Sequence, residues 1–206
     1  MHPNPAFRKT ARDRNVAFAR ELGFGMLAVA DKGAPLLSHV PFLLSEDGAQ
    51  VEFHLVRSNP IVRALVEPLP ARLAVQGPFS YVSPDWYGVE DQVPTWNYVA
   101  VHLTGPVSLM PDACLQDVLD RQSAFFEERL RPKRPWTSDK MTPDVMVRMM
   151  RQIVPARMTV EQIDGTWKLN QNKPEDVRLR AAAPLGAARQ GIGTREISDM
   201  MREPPD

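Results

Sequence analysis

The sequence predicts an α+β fold, an antiparallel β-barrel with helices added around it. Three observations lead there. Five to seven apolar segments of strand period follow one another without regular βαβ alternation. Turn signals such as Lys32-Gly33 and Asp47-Gly48 separate the first of them at hairpin spacing. The 206 residues include 20 prolines, about twice the ordinary share, which favours turns over long helices.

Each element is justified in turn. Thr10 as N-cap with Asp13 three residues on opens a first helix, and Gly23 closes it. Met26–Ala30 and Leu36–Leu44 read as a hairpin, and Gln50–Val56 alternates as a third strand. Asn59-Pro60 starts a short helix over Ile61–Glu67, with Asn as cap and Pro in the first helical position. Leu73–Gln76 and Ser80–Val82 are strand pieces, and Trp96–Leu109 is the longest strand of the chain. After Pro111 the period changes. Leu115, Val118, Leu119, Gln122, Phe125 and Phe126 share one helical face, and Thr142-Pro143 opens a further helix. Its Val145, Met146, Met149 and Met150 are expected to fill the core. Ala156–Ile163 returns to strand, Asp164-Gly165 turns, Trp167–Leu169 follows, and a short helix ends the chain near Thr194–Arg202. The expected layout is a barrel domain over residues 1–180 with a helical insertion at about 111–152, then a tail over 181–206.

Composition narrows the function. Twenty-five basic groups balance 25 acidic ones, whereas a DNA-binding domain usually carries a basic surplus because phosphate neutralisation supplies much of its affinity. DNA contact is therefore not supported by charge. The one local basic excess lies between Arg121 and Arg157, and a solvated helical surface explains it. A single cysteine, Cys114, excludes an internal disulfide and a cysteine-cluster zinc site. No apolar run reaches bilayer length and no leader pattern opens the chain, so a soluble cytoplasmic protein is expected.

Three segments carry polar chemistry at suggestive positions. Arg57-Ser58-Asn59-Pro60 delivers an arginine from a strand onto a helix start, where unpaired N–H groups, a guanidinium fork and a hydroxyl favour a phosphate. In Val93-Pro94-Thr95-Trp96-Asn97-Tyr98, Trp96 and Tyr98 share one face and Asn97 takes the other. Core packing explains that arrangement, and so does a wall on which a heterocycle stacks. Lys168-Leu169-Asn170-Gln171-Asn172-Lys173 is unusually polar for a strand-to-helix connection. His39 and His54 fall on neighbouring strands, as a hydrogen-bonded structural pair or as pocket residues.

Together with Ser83-Pro84-Asp85-Trp86-Tyr87 and the strand stretch His39–Leu44, these segments resemble, in order, the motifs of the PaiB-type FMN-binding negative transcriptional regulators. The likeness runs from about Pro3 to Asp176, and Val-Pro-Thr-Trp-Asn-Tyr is its most specific part. The resemblance implies a split β-barrel of the pyridoxine-phosphate-oxidase kind, built as a homodimer with FMN at the subunit interface. It implies that the backbone of Ser38, His39, Val40 and Pro41 flanks the isoalloxazine ring, near His54. Arg57, Ser58 and Asn59 would hold the phosphate. Trp96, Asn97, Lys168, Gln171, Asn172 and Lys173 would complete the pocket, from the other subunit. Asn170 stands where serine is common, and Arg178–Ala183 replaces an acidic-then-glycine pattern. A flavin-dependent oxidoreductase using the same pocket is the alternative, and haem binding through His39 or His54 a weaker one.

Overall fold

The computed structural model describes residues 1–205. Among these residues are eight strands: β1 (Phe24–Val29), β2 (Leu36–Leu44), β3 (Gln50–Val56), β4 (Leu69–Val82), β5 (Thr95–Leu109), β6 (Ile153–Thr159), β7 (Gln162–Lys168) and β8 (Gly191–Ile192). Six helices accompany them: α1 (Arg12–Leu22), α2 (Pro60–Ala64), α3 (Leu115–Glu128), α4 (Pro143–Met150), α5 (Glu175–Ala187) and α6 (Thr194–Arg202). The strand order is β7-β5-β6-β3-β2-β1-β4-β8, and β5 also pairs with β4. The pairings from β5 through β6, β3, β2, β1 and β4 thus return to β5, the connectivity expected of the antiparallel barrel.

The chain divides into two compact units. One gathers Met1–Phe18, Val75–His102 and the stretch from Ile163 onward, and the other gathers Ala19–Ala74 and Leu103–Gln162. The latter, the 19–74/103–162 unit, is built on antiparallel ladders. β1 pairs with β2 through Phe24–Pro41 and Ala28–Leu37, β2 with β3 through Phe42–Phe53, and β3 with β6 through Glu52–Arg157 and His54–Pro155. Because side chains alternate along a strand, Val40, Phe42, Leu44, Val51, Phe53, Leu55, Val154, Ala156 and Met158 point inward and are buried. Each large side chain removed from water contributes roughly 1.5–3 kcal/mol. Their neighbours form the outer face, which α3 partly covers with Leu115, Val118 and Gln122. Gly105 is required by crowding: a Cβ there would lie 1.9 Å from the Thr159 carbonyl oxygen.

The other unit centres on Trp167, which is wholly buried and edge-on to Phe18 at 5.0 Å. Its indole Nε1 donates to Asn15 Oδ1 at 2.8 Å, and Asn15 Nδ2 donates to the Thr10 carbonyl at 3.1 Å. Helices α5 and α6 pack together here. Ser198 Oγ donates to the Ala182 carbonyl at 2.7 Å, and Arg178 Nη1 donates to the Arg202 carbonyl at 3.0 Å.

Several expectations change. The first helix begins at Arg12, and the Thr10 carbonyl serves Asn15 instead of starting the helix. The two strand pieces around Gly77-Pro78 are one continuous β4, where the missing Cβ at Gly77 admits the Phe18 ring. Asp164-Gly165 lies within β7, not in a turn. The 180/181 boundary falls inside α5, a helix that the sequence reading lacks. The methionine helix α4 buries none of its residues, and Met149 is 54% exposed, so it does not fill the core. Asn59 does cap α2 with Pro60 in its first turn, and α6 spans the residues expected. No helix among the described residues is long and apolar enough to cross a membrane.

Candidate functional site

At the end of β3 the backbone turns from Val56 into α2, and Arg57 and Ser58 are exposed there. Arg57 reaches back to the start of β6. Its Nε donates to the Arg151 carbonyl at 2.9 Å, and its Nη2 donates to the Ile153 carbonyl at 3.1 Å and to Asp112 Oδ2 at 3.3 Å. These contacts use the Nε and Nη2 donors and fix the plane of the guanidinium, leaving Nη1 without a described partner and the charge solvent-accessible.

Asn59 is spent on structure. Its Oδ1 accepts from the Ile61 N–H at 2.9 Å, and its Nδ2 donates to Ser38 Oγ at 3.2 Å. The Val62 N–H goes to the Asn59 carbonyl at 3.0 Å. The helix start is therefore capped by its own asparagine and does not present bare donors. The expectation had Asn59 and the helix backbone hold a phosphate; here they are engaged within the chain, and Arg57 and Ser58 are the exposed polar side chains of this corner. Asn59 instead ties the corner to Ser38 on β2.

On β2, His39 and Pro41 face outward and Val40 points into the core, so only the backbone of Val40 is available to a ligand. His39 lies opposite Met26 in the β1 ladder and stacks with Phe24 at 6.4 Å and 21°. Phe24, Leu37 and Val56 are each more than half exposed, giving this unit an apolar outer face. His54 does not join His39. It sits half-buried opposite Pro155 with Gln122 against it. Burial lowers its pKa below the ordinary imidazole value, and the Gln122 contact raises it in partial compensation. His54 Nδ1 and Gln122 Nε2 each lack a hydrogen-bond partner.

Beside these strands, Glu52 accepts from Arg157 and from Arg121, each ion pair 2.6 Å long. Burial alone pushes this carboxyl up, but the hydrogen bonds and charges of Arg157 and Arg121 outweigh it and hold the pKa low.

The other unit carries the remaining expected residues. Trp96 is 48% exposed and forms an aromatic cluster with Tyr81 at 5.9 Å and Phe79 at 6.2 Å. Lys168 Nζ donates to the Trp96 carbonyl at 2.8 Å and to Thr95 Oγ1, and burial lowers its pKa. Asn97 is wholly buried. Its Nδ2 donates to Met201 Sδ at 3.2 Å and its Oδ1 has no partner. With α6 covering it, Asn97 is not open to a ligand, contrary to the expectation that it completes the flavin pocket. Gln171 is folded back on the Leu169 N–H at 2.8 Å and on the Trp167 carbonyl. Lys173 donates to Gln92 Oε1 and lies 4.3 Å above the Tyr87 ring. Asn172 is exposed. Gln171 and Lys173 thus shape their own loop.

Sequence reasoning missed Asp112, Arg151, Gln122 and Phe24. They lie far along the chain from the motif they join, and no local spacing marks them. Among the described residues, no group of three or more His, Cys, Asp or Glu side chains is placed to hold a metal.

The chain is 31% identical to the protease synthase and sporulation protein PAI 2 of Bacillus subtilis (strain 168) over 201 residues, covering 96% of this chain and 94% of that protein. Its fold is similar to that of the FAD and heme binding protein from Mycobacterium smegmatis, with a TM-score of 0.58 at 17% identity over 83% of this chain and 78% of that one. It is similar as well to the flavocytochrome Anf3 from Azotobacter vinelandii, with a TM-score of 0.57 at 14% identity over 93% and 81% of the two chains. Residues 1–162 match the family model described as "Putative FMN-binding domain". With that match and the PAI 2 likeness, the chain belongs to this FMN-binding, PaiB-type family, and its antiparallel fold is the split barrel.

Proposed function

We propose that the chain is a cytoplasmic FMN-binding homodimer that acts as a negative transcriptional regulator of the PaiB type. One observation carries the binding part. An oriented, exposed guanidinium at Arg57 stands beside the exposed Ser58, and the Asn59–Ser38 bond fastens this corner to the strand expected to flank the flavin ring. In this reading Arg57 and Ser58 hold the phosphate, and the outward edge of β2 from Ser38 to Pro41 lies along the ring. FMN supplies redox-active and light-absorbing chemistry when bound. The protein residues named here bind and orient it.

The apolar outer face at Phe24, Leu37 and Val56 supports the dimer, because exposed apolar groups clustered on one sheet face favour association. The regulatory role rests on the family likeness, with net charge zero leaving direct DNA contact unsupported.

FMN titration followed by flavin absorbance tests binding. Arg57→Ala is expected to weaken it by about 1–3 kcal/mol, the scale of a charged hydrogen bond. Unchanged affinity removes Arg57 from the site. Mixing the flavin-loaded protein with NADH or NADPH separates the readings: rapid bleaching near 450 nm, the usual flavin absorbance region, identifies an oxidoreductase. Gel shifts at two salt concentrations test repression by direct DNA contact, whose affinity must fall as salt rises.

A further inference from the structure

A hollow of about 210 Å³ opens beside the Arg57 guanidinium, lined by Arg57, Asp112, Leu115, Val147, Met150 and Arg151. Two cations of different origin meet here, one from the end of β3 and one from the residue that ends α4. Arg57 is engaged by two carbonyls and by Asp112. The Arg151 side chain is exposed and has no hydrogen-bond or ion-pair partner among the described residues, although its carbonyl accepts from Arg57 Nε. The only anion lining the hollow is Asp112, whose side chain is 69% exposed. An ion pair that exposed is weak and easily exchanged.

Building on the flavin reading above, we propose that Arg151 is the second cation for the FMN phosphate and that Asp112 is a displaceable internal anion. Its carboxylate occupies Arg57 until the phosphate replaces it. The charge accounting supports this. Two arginines lining a hollow with one carboxylate leave a surplus of positive charge, and a phosphate monoester carries close to two negative charges at neutral pH. The guanidinium forks also match phosphate oxygens in pairs. A ligand that lacks the phosphate meets neither arginine and does not compete with Asp112.

The test compares FMN with riboflavin, titrated by quenching of flavin fluorescence. Arg151→Ala is expected to weaken FMN roughly five- to tenfold, as loss of an exposed charged contact does, with riboflavin unchanged. Asp112→Asn is expected to tighten FMN about two- to fivefold, again with riboflavin unchanged. Arg151→Gln carries the same expectation as Arg151→Ala, and either variant removes no described side-chain contact. If Arg57→Ala weakens FMN while Arg151→Ala and Arg151→Gln do not, the second cation is overturned and the flavin reading stands. Weaker FMN binding in Asp112→Asn overturns the displaced-anion role. A wild-type chain that binds no FMN overturns the flavin reading and this inference with it.

Discussion

Trp167 Nε1 and Asn15 Oδ1 meet at 2.8 Å with both side chains buried. The pair links β7 to α1, and the Asn15 amide is itself held by the Thr10 carbonyl. Asn15→Leu removes the acceptor and leaves a buried indole N–H unpaired, at a cost of about 1–3 kcal/mol. Urea unfolding monitored by tryptophan fluorescence measures it, and a midpoint equal to wild type disproves the importance of this bond.

Glu52 gives a pH signature. Its folded pKa lies below the unfolded value because Arg157 and Arg121 outweigh burial. Its contribution to stability is therefore complete above the unfolded carboxyl value, about 4.3, and is lost as pH falls through the lower folded value. Glu52→Gln should remove that part of the acid transition and cost about 1 kcal/mol near neutrality, a figure reduced for partial solvent access. Thermal melts from pH 7 down to pH 3 check both.

His54 acts in a higher window. Burial depresses its folded pKa below the ordinary 6.5, so the unfolded chain takes up the proton first and stability declines as pH drops below that value. His54→Phe is expected to flatten the pH dependence between about 6.5 and 5. A curve of unchanged slope contradicts the assignment.

Gly105 admits no side chain. Gly105→Ala places a methyl against the Thr159 carbonyl, a backbone atom that cannot rotate away. The expected loss is about 2–4 kcal/mol, typical of forced overpacking at a backbone contact, and differential scanning calorimetry reads it.

The proposed homodimer is tested on the outer face of β2 and β3. Leu37→Glu and Val56→Glu alter residues that are each 55% exposed, so the fold should tolerate them while an apolar interface should not. Light scattering is expected to give a dimer mass for wild type and a monomer mass for the double variant.

Much of the architecture was legible in the sequence because alternation and punctuation coincide there. Gln50–Val56 alternates and is bounded by Gly48 and Asn59-Pro60, and the observed strand has those limits. Helix α5 was hidden for the opposite reason. It buries small alanines and an arginine, and it contains Pro184, so neither periodicity nor composition marks it. Helix α4 shows the limit of pattern alone: its apolar residues have helical spacing, but the fold leaves them unburied. In the site, Arg57 was readable from a local motif. Its partners Asp112, Arg151 and Ile153 were not, because the β3–β6 ladder brings Arg151 and Ile153 there, and the β5–β6 ladder Asp112, from distant parts of the chain. Asn59 misled because an asparagine before Pro60 serves equally as ligand donor and as cap, and here the cap wins.

The chain passes four times between its two compact units, within α1, at the middle of β4, at the middle of β5 and at the start of β7. Any single cut between the units therefore divides the one that gathers Met1–Phe18, Val75–His102 and the stretch from Ile163 onward. Mild digestion should nick exposed loops without liberating an autonomous piece, and half-length expression products should be insoluble.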